Sequence, residues 1–153
     1  VIGYGIVQGS APALRRLWGQ TSSPGVAAVQ FWSALLTAIP ALIGVALWRD
    51  ANVAIAITAG LAAFGVVFAM NSSIHSYMVL AYTDAESVSL NVGFYYMANA
   101  AGRLIGTLLS GAVFMLGRTE SGGMQACLWT SSLLVLLAWL SSLRLPAPLR
   151  TVS

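Results

Sequence analysis

Arg103 is the only charged residue in the thirty residues from Val88 to Gly117, VSLNVGFYYMANAAGRLIGTLLSGAVFMLG. On a helix, positions four apart fall nearly on one face, and Asn91, Tyr95, Asn99, Arg103 and Thr107 recur at that interval. Amides, a phenol, a hydroxyl and a guanidinium on one stripe are the groups that hold an oxyanion through charge-assisted hydrogen bonds, and the guanidinium adds a planar two-pronged fork. Upstream, Asn71 and His75 are also four apart and share a face. If the two segments form an antiparallel hairpin about the turn TDAES, residues 83–87, Asn71 falls level with Asn99 and His75 with Tyr95. Histidine exchanges protons near neutrality, so His75 is the one intramembrane candidate for a proton carrier; alone it reads more often as a packed imidazole, and its place in this cluster brings the two readings level.

The elements that must position these groups follow from composition. Hydrophobic residues make up 58% of the chain and charged residues 7%, against ~25% charged in an ordinary soluble domain, so a water-facing surface cannot be covered. The chain reads as an all-α integral membrane protein. A strand of a membrane barrel needs only about ten alternating residues, whereas the apolar blocks here are mostly two to three times that length. There are five: a short one at residues 1–14, VIGYGIVQGSAPAL, then 26–48, 53–82, about 84–116 and about 124–143. The first falls below the ~20 residues that cross a bilayer and reads as the end of a longer helix. With no initiator methionine and no charged leader ahead of it, the expectation is an internal or C-terminal piece of a longer protein.

Local signals refine these spans. Thr83 followed by Glu86 has the spacing of a capping box at the start of the fourth block, which gives Asp84 and Glu86 a structural rather than a proton-carrying role. Gly117 suits a left-handed residue closing that helix. Ala98, Gly102, Gly106 and Ser110 form a small-residue seam of the kind that lets membrane helices approach closely. Gln30 and Pro40 read as local packing features, and Trp18 and Trp48 suit the interfacial belt. Arg15 and Arg16 follow the first block, and Arg144 and Arg150 the fifth. Alternating spans put these four on one side and Arg49 and Arg118 on the other, so the positive-inside rule makes the C-terminus cytoplasmic.

Arg103 lies too far from either end of its helix to reach the headgroups easily. A guanidinium at the bilayer centre costs roughly 2.5 to 3.5 kcal/mol on insertion scales, so it persists where it meets a wet cavity or a partner. No acid within the spans can pair with it. Its partner is therefore a ligand, a group outside this chain, or, in the structural reading, backbone carbonyls.

Other classes are excluded or thinly supported. The net charge of +3 is scattered, which is no footprint for a nucleic acid. One histidine and one cysteine, His75 and Cys127, cannot make a usual zinc site, and a lone thiol makes no internal disulfide. No cofactor is expected. An intramembrane enzyme needs a nucleophile with its base, or a metal, and a single histidine without a paired acid offers neither; a noncatalytic membrane subunit using the small-residue seam remains open.

The run NSSIHSYMVLAYTDAESVSLNVGFYYMANAAGRLIGTLLSG, residues 71–111, resembles the ArsJ-type organoarsenical efflux permeases of the major facilitator superfamily. GYGIVQGSAP and ACLWTSSLLVLLAWLSSLRLP, which flank it, resemble the same family. The resemblance spans nearly all of residues 1–153 and implies the C-terminal transmembrane bundle of such a transporter, from a remnant of helix eight to helix twelve, with the N-terminal half as its missing partner. ALRRLWGQ departs from the glycine and aspartate pattern common in that loop of the superfamily, which weakens any gating role for Arg15 and Arg16. The implied cargo is 1-arseno-3-phosphoglycerate, exported from the cytoplasm across a bacterial inner membrane, with coupling to protons by analogy. The implied site is Arg103, Asn99, Tyr95, Asn71 and His75. An oxyanion fits this residue set; a thiol-bound trivalent arsenical needs two or three cysteines, and Cys127 is alone in an outer helix.

Overall fold

The computed structural model describes residues 9–10, 25–84 and 86–146. Among these it is helical throughout, with four long helices: α1 (Val26–Trp48), α2 (Val53–Ala81), α3 (Val88–Leu116) and α4 (Glu120–Ser142). All four are long and apolar enough to cross a bilayer, as a multi-pass membrane protein requires. The expected first block falls outside the described residues except for Gly9 and Ser10, which are helical, so four spans stand where five blocks were expected.

The helices alternate in direction. At one end Gln30 Nε2 donates to the Ser142 carbonyl at 3.5 Å, and the Tyr82 hydroxyl donates to the Pro146 carbonyl, so the start of α1 and the ends of α2 and α4 lie together. α1 is the hub, packing on α4 and α2. Its buried face, Val29, Ser33, Leu36, Pro40, Ile43 and Gly44, advances by three or four residues over most of its length, the spacing that keeps one helical stripe inward. Val29 meets Ile74 and Met78 of α2 in the core, flanked by Trp32, Tyr77 and Tyr82. On the α4 side Trp129 lies over Gly44, where an added Cβ would come within 3.3 Å of its ring.

The helix ends are not all where the sequence signals put them. α3 begins after Ser87 with no side-chain cap. Thr83 is 5% exposed and donates back to the Val79 carbonyl at 2.6 Å, so its hydroxyl closes α2 and the expected capping box with Glu86 does not form. The working caps lie elsewhere: Asn52 accepts from Ile55 N at 3.1 Å to open α2, and Thr119 accepts from Gly122 N at 3.1 Å to open α4 four residues before Met124. Gly117 has φ −69° and ψ 125°, not the left-handed conformation expected. Glycine is needed there because a Cβ would overlap the backbone of Gly123 at the α3–α4 turn.

Candidate functional site

α3 packs on α4 and touches α2 only sparsely, so the α2–α3 hairpin is splayed. The gap is a cleft of about 250 Å³ lined by Phe68, Asn71, Ser72 and His75 from α2 and by Tyr95, Ala98 and Asn99 from α3. The hairpin register read from the sequence brings Asn71 and His75 opposite Asn99 and Tyr95, as the two fourfold spacings require. Four of the five expected site residues share this cleft.

The α2 wall is held from behind. Asn71 Oδ1 accepts from Ser33 Oγ of α1 at 3.2 Å. His75 Nδ1 lies 2.9 Å from the Asn71 carbonyl oxygen. That oxygen can only accept, so Nδ1 carries a hydrogen and Nε2 is the ring nitrogen left for other contacts. On α3 the Tyr95 ring meets Tyr96 edge-on with centroids 5.6 Å apart.

Arg103 lies one turn beyond Asn99 and does not line the cleft. It is exposed, fifteen residues from Val88 and thirteen from Leu116, so its central depth stands. Its guanidinium makes no ion pair or hydrogen bond among the described residues; its carbonyl accepts from Thr107 Oγ1 at 2.8 Å. No residue of α3 is buried, and an added Cβ at Gly102 or Gly106 meets nothing within 4 Å. The middle of the expected small-residue seam, Gly102 and Gly106, is thus unoccupied by any described helix; the close approaches fall instead at Gly44, Gly60, Gly117 and Gly123. At the foot of the stripe the Cys127 thiol donates to the Ser110 carbonyl at 3.3 Å, which ties α4 to α3.

Sequence reasoning missed Phe68 and Ser72 in the cleft lining and, behind it, Ser33. The signal at Ser33 was faint: one small polar residue on the face of α1 that otherwise carries Val29, Leu36 and Ile43.

No protein-family model, no curated protein and no solved structure matches this chain.

Proposed function

We propose that the chain is the C-terminal bundle of a major facilitator transporter that exports a phosphate-like organoarsenical anion, 1-arseno-3-phosphoglycerate, from the bacterial cytoplasm and so confers arsenate resistance. The observation that carries the reading is a cleft within the α2–α3 hairpin with amide, imidazole and phenol groups on its two walls, and one helical turn away a guanidinium that has no partner among the described residues. Arsenate and phosphate groups carry charge and several acceptor oxygens, which amide N–H, phenol and guanidinium donors match, and His75 Nε2 adds a donor when the ring is protonated. One turn is about 5.4 Å along the axis, within the reach of a long side chain toward a ligand bound at Asn99. The resemblance in residues 71–111 supplies the identity of the cargo; the cleft supports its charge class. In this reading a second repeat, carried by the N-terminal half of the protein, faces the cleft across the membrane midplane. His75 is the proton-coupling candidate, and the C-terminus is cytoplasmic, which a reporter fused after Ser153 reads directly.

The test is uptake of the organoarsenical into inverted vesicles carrying the full-length protein. Arg103→Gln removes a charge that is costly to insert, so the protein reaches the membrane while apparent affinity falls about tenfold to hundredfold. Arg103→Lys keeps the charge without the fork and is impaired for a phosphate-like cargo. Transport by the Gln variant at the wild-type rate and affinity rules Arg103 out of the site.

A second reading, a noncatalytic membrane subunit, is favoured by the open small-residue face of α3 at Gly102 and Gly106. Flux in vesicles separates it from a transporter.

A further inference from the structure

The hydrogen-bonding character of the cleft is set by a residue behind it. Ser33 is 6% exposed, and its hydroxyl has one acceptor among the described residues, Asn71 Oδ1 at 3.2 Å. The oxygen and nitrogen of an amide are distinguished by their partners. With Nδ2 turned toward Ser33, the amide would donate to Oγ and leave the buried hydroxyl hydrogen without an acceptor, an arrangement folded proteins avoid. Oδ1 therefore faces α1. What remains of the Asn71 side chain is the pair of N–H donors on Nδ2, on a residue that lines the cleft.

The backbone of α1 at Ser33 is itself hydrogen-bonded. Thr37 Oγ1 donates to the Ser33 carbonyl at 2.9 Å, and Ser132 Oγ of α4 donates to the Thr37 carbonyl at 3.0 Å. Three hydroxyl bonds thus step from α4 through the backbone of α1 to Asn71, and they cross the most extensively packed part of the bundle.

We propose that Ser33 is a positioning residue for specificity: it locks the Asn71 amide with its donors toward the cleft, so that the Asn71 position selects an oxyanion and disfavours a ligand that presents donors there. The proposal rests on the reading of the cleft as an anion site. Without the Ser33 hydroxyl the amide turns freely, and either its oxygen or its nitrogen faces the ligand.

The experiment uses the full-length protein in nanodiscs, labelled with ¹⁵N at asparagine and titrated with inorganic phosphate. In the wild type the Asn71 Nδ2 resonance, assigned by its loss in Asn71→Asp, shifts as phosphate binds. Ser33→Ala raises the dissociation constant for phosphate about threefold to tenfold, and Ser33→Thr, which keeps a hydroxyl, restores it. Asn71→Asp replaces the donors with acceptors and weakens phosphate binding by more than about tenfold. A wild-type protein that binds phosphate without moving the Asn71 resonance overturns the proposal and leaves the anion reading standing. So does a folded Ser33→Ala variant that binds like wild type. Failure of the wild type to bind phosphate at all overturns the anion reading and this proposal together. The resonance shift needs no substitution at Ser33, so a Ser33→Ala protein that fails to fold does not remove the test.

Discussion

On α1, Gln30, Ser33 and Thr37 each direct a side-chain hydrogen bond to a neighbouring helix or to the backbone of their own. On α3, Asn99 and Arg103 make no such bond among the described residues. In a bilayer an unsatisfied polar group is costly, so a helix either settles its polar side chains internally or presents them to water, a ligand or another helix. α1 does the first; α3 does so at Thr107 and Ser110 but leaves Asn99 and Arg103 to the second. The contrast separates groups that hold the bundle together from groups available for binding.

The largest effect that tests this contrast is expected at the core. Met70, 1% exposed, contributes to the buried face of α2; Met70→Ala is expected to cost about 2 to 5 kcal/mol of stability by loss of packing. Leu108→Ala on α3, where the side chain is 67% exposed, is expected to cost nearly nothing. Thermal denaturation in detergent compares the two, and an equal loss would mean that α3 is packed in the intact protein.

Glycines give a second contrast. Gly117→Ala drives a Cβ into the Gly123 backbone and is expected to cost about 1 to 3 kcal/mol, with the α3–α4 turn displaced. Gly102→Ala meets nothing within 4 Å and is expected to leave stability unchanged or raise it by up to about 1 kcal/mol through helix propensity. Should Gly102→Ala destabilise the protein, another helix lies against α3.

The smallest effect is expected from Ser132→Ala, which removes one hydrogen bond between α4 and α1. Interhelical bonds of this kind contribute about 0.6 kcal/mol in membranes, so the midpoint of unfolding should fall slightly while vesicle transport continues. Arg103→Gln is its opposite, with transport lost and stability kept. A Ser132→Ala protein that loses transport would show that the hydroxyl line reaches further into function than the packing requires.

The sequence by itself determined the spans, because the length of an apolar run and the thickness of a bilayer leave few alternatives. It also brought Asn71, His75, Tyr95 and Asn99 to one cleft: a fourfold helical spacing and a short turn fix which stretches of the two helices face each other. Helix ends were less legible. Thr83 and Glu86 have capping spacing, but a hydroxyl buried against its own last turn bonds there first. Gly117 looked like a conformational requirement and proved to be a steric one, because only the path of the next helix brings Gly123 against it. The separation of α3 from α2, the unoccupied Gly102–Gly106 face and the bond from Ser33 to Asn71 were decided by tertiary structure alone. Each depends on which helix lies behind another, and periodicity along one helix carries no record of its neighbour: a serine thirty-eight residues away turns an asparagine amide only once packing has placed the two helices side by side.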